Sequence, residues 1–216
     1  MEQSRIGTTP GEALAVVTIC FGLMIWYSVD AALAGYPLTP ITDASFLWLI
    51  VNELTLAAVA LLVLRARGFA IASLYPAPSV VGTLHGMGLF FLAWLAMALA
   101  LAPFAGVPQP IDRMISEAKL SVAVIGLVAV VNAPFEEVFL LGFLVRGLQG
   151  FGVNTAMAVS LLVRVLCHLY QGPVGAMAVL VFGTVITLSF VISGKLWPAV
   201  FCHMLWDVVP FLWPHA

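Results

Sequence analysis

Charge is what this chain lacks most. Only 8% of its 216 residues are Asp, Glu, Lys or Arg, while 63% are hydrophobic; a soluble domain carries about 25% charged residues. That composition excludes a soluble globular protein and requires a polytopic integral membrane protein. No basic run is present and the formal net charge is only −2, which argues against nucleic acid as a partner. Cys20, Cys167 and Cys202 lie in apolar runs without CxxC spacing, so buried thiols are expected rather than a disulfide framework. No A-x-A site follows the polar N-terminal stretch, which predicts a retained first span and not a cleaved signal. Repeats and low-complexity segments are also missing, and the spans leave no room for a separate soluble domain.

What remains is a succession of apolar runs, read against the roughly 20 residues that a bilayer-crossing helix needs. Spans are expected at Ala13 to Ala34, Ser45 to Leu64 and Val80 to Leu101. An interfacial connector is expected at 69–79 and a polar loop at 106–119. The run from Leu120 to Val131 is short, and Pro134 predicts a break, with a second helix continuing to about Leu148. Further helices are expected at Asn154 to Tyr170, Val174 to Ile192 and Trp197 to Leu212. The fold class is therefore all-α, with about eight helical segments in one membrane domain. Residues 1–117 form three N-terminal spans and a polar loop; residues 118–213 form a denser core. Arg5, Arg65 and Arg67 favour a cytoplasmic N-terminus, while Arg113 and Lys119 would then face outward.

The core carries its charges in unexpected places. Glu136 and Glu137 stand side by side in the apolar stretch 132–146, where one acidic residue at mid-membrane costs roughly 2.5–3.5 kcal/mol on insertion scales. Arg164 and His168 are four residues apart on a second helix, and His203 and Asp207 four apart on a third. Such spacing places each pair on one helix face. Three polar faces at membrane depth predict a shared interior cavity.

A cavity so furnished can hydrolyse. A carboxylate takes a proton from water, an imidazole orients that water, and a second His with a neighbouring side chain supplies donors to an oxyanion. Glu136, His168 and His203 are equally a ligand set for a divalent metal such as zinc, which would acidify a bound water. Residue types alone do not separate the two chemistries. Ser160 and Ser189 have no matched base, and Cys167 points to a different helix face from His168, so a covalent nucleophile is disfavoured.

In these residues the chain resembles the CAAX-protease and bacteriocin-processing (CPBP, or Abi) intramembrane proteases, which include the Ras-converting CAAX endopeptidase. Their motifs EExxxR, FxxxH and HxxxN/D are matched in order by Glu136-Glu137, by His168 within Cys167-His-Leu-Tyr-Gln-Gly172, and by His203-Met-Leu-Trp-Asp207. The resemblance implies Glu136 as water-activating base, Glu137 as its support, and His168 as a second water-positioning group. It implies His203 and Asp207 as the oxyanion pair, with Asp207 where many members have Asn. Peptide or lipidated-protein substrates at the plasma membrane are the family expectation. Two positions depart from the pattern: Leu141 replaces the motif Arg, and Arg164 replaces the motif Phe. The departures read as one event, the cation having moved to the middle helix to neutralise Glu136 and Glu137; Arg146, near the helix end, is the poorer substitute.

Two rivals stand beside the hydrolase. One is a catalytically silent protein of the same fold that binds a peptide in an immunity or scaffold role. The other is a proton-coupled transporter, opposed by the small size and the missing repeat. Glu53 needs a partner at mid-span, most simply a bond to another helix. His85 and Asp30 read as structural or interfacial and His215 as inert. Trp197 and Trp213 read as interface anchors, and the aromatic content implies no cofactor.

Overall fold

The structure, a computed structural model, describes residues 5–212, so Trp213 and His215 lie outside the described residues. Eight helices form among the described residues, with no strands: α1 (Pro10–Leu33), α2 (Asp43–Ala66), α3 (Val80–Leu101), α4 (Pro110–Ser116), α5 (Val122–Phe151), α6 (Val153–Cys167), α7 (Pro173–Ser193) and α8 (Trp197–Leu212). Five of them (α1, α2, α3, α5 and α7) are long and apolar enough to cross a membrane. The protein is thus all-helical and multi-pass.

Caps set the starts. Thr9 Oγ1 accepts from Glu12 N (3.2 Å) and Glu12 Oε2 accepts from Thr9 N (3.0 Å), a reciprocal pair that satisfies two orphan donors of α1. Arg5 and Arg67 both pair with Glu12, tying the chain start to the end of α2. Thr42 and Ser45 form the same reciprocal pair at the start of α2, while at α3 Ser79 Oγ accepts from Gly82 N alone.

Helix α5 runs through the middle. Its first half packs on α2 and α8, and its second half on α6. On the far side, α3 lies close against α8. A Cβ at Gly82 would fall 2.8 Å from the Trp197 ring, and one at Gly86 2.8 Å from the Pro198 carbonyl oxygen. These glycines, four apart, let two helices touch nearly backbone to backbone, which is how helices associate where lipid supplies no hydrophobic drive.

Two expectations need correction. Helix α5 does not break at Pro134 but passes through it. Proline costs about 3 kcal/mol in a helix interior, and the neighbours that pack on α5 from both sides outweigh that. The irregularity falls four residues later, where Val138–Val145 is π-helical; a carbonyl in that wide segment, Leu140 O, is met by Ser160 Oγ from α6 (3.0 Å). Residues 106–119 are not simply a loop, since they contain α4. Its Ile111, Met114 and Ile115 face inward while Asp112, Arg113 and Ser116 are on the other side. The period of this stripe was concealed by its polar neighbours.

The connectors sort to two ends. Residues 5–9, 67–79, 149–152 and 194–196 share one end; 34–42, 102–121, 168–172 and the end of α8 share the other.

Candidate active site

Helices α5, α6 and α8 each deliver one polar face to the same point, midway along α5. Glu136 and Glu137 are adjacent, so they diverge by about 100°. The structure uses the divergence: Glu136 lines an open cavity, whereas Glu137 is fully buried behind it. Arg164 reaches both from α6, with Nη1 donating to Glu136 Oε2 at 3.4 Å and Nη2 to Glu137 Oε2 at 2.7 Å. The guanidinium is 1% exposed and lies over the Phe182 ring at 5.8 Å. Breaking a buried pair by removing one partner costs about 3–5 kcal/mol, so Arg164 and the two glutamates stand or fall together.

Leu141, at the motif's Arg position, is fully buried in an apolar cluster with Phe182, Ile186 and Val200. Arg146 is far from the glutamates: it donates to the Ser73 and Gly194 carbonyls at the opposite end of the bundle. The one cation at the carboxylates is Arg164, among the described residues.

The histidines take different posts. His168 follows the last turn of α6, and its Nδ1 donates to the Arg164 carbonyl at 2.8 Å. A carbonyl only accepts, so Nδ1 carries the hydrogen and Nε2 is left facing Glu136 Oε1 at 3.8 Å. His203 Nδ1 donates to Glu137 Oε1 at 2.6 Å, and its Nε2 lies 3.6 Å from Asp207 Oδ1. The second Asp207 oxygen is buried without a partner, as is Trp206 Nε1 beside it. All five residues that the motifs single out therefore meet around one point, with Arg164 among them.

The cavity they border has a volume of about 520 Å³. Its wall is mostly apolar and includes Met24, Met97 and Met114. Toward one end of the bundle its lining includes Thr39 and Ile41 before α2, Ile111, Met114 and Ile115 of α4, Gln171, and Pro210 and Phe211 of α8. Gln109 pins α4 in place: its Oε1 accepts from Val174 N at the start of α7 (3.1 Å).

For a metal, Glu136, Glu137 and His203 bring three donor atoms within 4.8 Å of one another. His168, which the sequence offered as a ligand, is not in that group. Within it, Arg164 already holds an oxygen of each carboxylate and His203 the other oxygen of Glu137.

Two supporting features escaped the sequence. Asn132 lies one turn before Glu136 on the same face and lines the cavity, and its amide donates to Glu53 Oε1 at 2.6 Å. Glu53 thus has the partner its position demanded, on α5. Gly183 makes room for Arg164, since a Cβ there would sit 2.7 Å from Arg164 Cδ. The signal available was a glycine inside an apolar helix, too common to single out. His85 and Asp30 are exposed on the outside of the bundle, and the three cysteines are free and buried.

Residues 118–209, somewhat under half of the chain, match the family model described as type II CAAX prenyl endopeptidase, Rce1-like. The matched segment holds Glu136, Glu137, Arg164, His168, His203 and Asp207, and the match is consistent with a CPBP-family protein. No curated protein and no solved structure matches the chain.

Proposed function

We propose that this CAAX-type protease segment makes the protein an intramembrane endopeptidase. In this reading it cuts a peptide bond with water activated by Glu136 and His168, without a resident metal. The observation that carries the proposal is the 3.8 Å between Glu136 Oε1 and His168 Nε2. The gap is beyond a direct hydrogen bond, and one water can bond both groups across it. Glu136 takes a proton from that water as its oxygen adds to the scissile carbonyl carbon; the proton then passes to the amine nitrogen as the C–N bond breaks. His203 and Asp207 face the forming oxyanion; with its Nδ1–H given to Glu137, His203 donates from Nε2 only as the imidazolium, and Asp207 donates only when it carries a proton. Arg164 offsets the charge of two carboxylates that water does not reach freely.

The same Arg164 is the argument against a metal. A divalent ion shared by Glu136, Glu137 and His203 would have to displace a guanidinium that cannot give up its charge. The substrate is a segment of a membrane protein or lipidated peptide able to enter an apolar cavity. A peptide-binding protein without catalysis is the second reading, favoured by Leu141 at the motif's Arg position.

The deciding experiment measures metal content and cleavage of a membrane-peptide library on purified wild type, Glu136→Gln and His168→Ala. Cleavage that survives chelation and falls about 10²–10⁴-fold in Glu136→Gln, with the variant still folded, is the expected result. Stoichiometric zinc with chelator-sensitive cleavage would overturn the metal-free mechanism. A wild type that binds peptides and cuts none would make the protein a binder.

A further inference from the structure

We infer that Asn132 is a substrate-binding residue. Its side-chain carbonyl grips a backbone N–H of the entering peptide close to the scissile bond, and Glu53 is the positioning residue that turns it there. The cut beside the grip rests on the hydrolase reading; the grip itself does not.

Between Asp43 and Arg65, α2 carries one ionisable residue, Glu53, and it is 1% exposed. A carboxyl at membrane depth is costly and marks function by default. Packing does not need this one: beside it, Ile50 already joins α2 to Val124 and Val128 of α5 in an apolar cluster. Glu53 makes a single bond. Its Oε1 accepts from Asn132 Nδ2 at 2.6 Å, and its Oε2 is buried without a partner among the described residues. An accepting oxygen fixes which end of the amide it meets, so Nδ2 faces α2 and Oδ1 is turned away. Asn132 borders the cavity, and its Oδ1 is neither bonded within the described residues nor among their sealed, unpartnered atoms. An acceptor held from behind stands open on the cavity wall.

A peptide needs an acceptor at this position. Asn132 and Glu136 are one turn apart on the same face, with roughly 5–6 Å between their Cβ atoms. An extended segment advances about 3.3 Å per residue. With the scissile carbonyl at the Glu136 water, an N–H one or two residues along lies beside Asn132. In a mostly apolar cavity that N–H loses its water, and leaving it unpaired is costly. Because Asn132 reads backbone, it asks nothing of the neighbouring side chains. It asks instead that the segment be unwound, since in a helix the same N–H is already given to the carbonyl four residues before it. Proline at that substrate position has no donor to offer.

The test uses the full chain and the library peptide that wild type cleaves best, beside copies in which one amide near the cut, never the scissile one, is an ester without the N–H. In wild type, one ester position within two residues of the cut is expected to raise KM about 10-fold, the size of one hydrogen bond, with kcat little changed. In Asn132→Ala the amide peptide should already show that loss, and the ester should add nothing to it. The double variant Glu53→Leu/Asn132→Ala strands no carboxyl and gives the same comparison where the single variant does not fold. Glu53→Leu alone frees the amide and should lose most of the ester penalty, whereas Glu53→Gln, whose carbonyl still accepts from Asn132, should keep it. An ester penalty equal in wild type and Asn132→Ala, or no ester position that wild type feels, would overturn the proposal and leave the pair a helix–helix bond. If wild type binds the peptides and cuts none, the hydrolase reading fails, and the same comparison made on Kd upholds or overturns the grip.

Discussion

Only 17% of the apolar window of α3 is buried within the protein, against 67% for α5, although the two are close in hydropathy. Lipid covers α3, and other helices cover α5. In α3 the apolar side chains are an outer coat, broken by Gly82 and Gly86 where α8 must come close. In α5 they insulate two carboxylates, and that insulation makes Arg164 indispensable. Hydropathy therefore reports that a helix avoids water and says nothing about what it shields.

Substitutions at three sites sharpen that contrast. The largest effect is expected from Arg164→Leu, which strands Glu136 and Glu137: about 3–5 kcal/mol of stability, read as thermal unfolding in detergent, together with loss of cleavage. Adding Glu136→Gln and Glu137→Gln should restore stability without restoring cleavage; an unchanged Arg164→Leu protein would sink the idea that the motif's cation has relocated. Gly183→Ala should come next. Its methyl group displaces Arg164 at about 1–3 kcal/mol, the usual cost of overpacking, with activity falling further than stability because the carboxylates lose their alignment. The smallest effect belongs to His85→Ala on the outer face of α3, expected within about 0.5 kcal/mol and without change in cleavage. A large loss there would mean that α3 is more than a lipid-facing wall.

Most of the architecture was legible because membrane spans announce themselves by length. The site residues were legible for a different reason: a charge at membrane depth is costly, so Glu136, Glu137, Arg164, His168, His203 and Asp207 stood out against their surroundings. Their meeting at one cavity follows from that cost, since each face needed the others. What the sequence concealed was set by tertiary contact. Pro134 carries a local preference for a break, and neighbours packed along α5 overrule it. The apolar stripe of α4 is only three residues, too brief to show a period. The Asn132–Glu53 bond joins residues 79 apart, and Gly183 matters only because Arg164 lies across from it.

The three methionines in the cavity wall carry a consequence for selectivity. Met24, Met97 and Met114 are unbranched thioethers that adjust to irregular neighbours at little cost. A lining this deformable discriminates weakly among substrate side chains. Choice of the scissile bond then falls to how deep a segment descends and whether its backbone can unfold beside Glu136. Such a protease would tolerate sequence drift in its targets and be sensitive to their register in the bilayer.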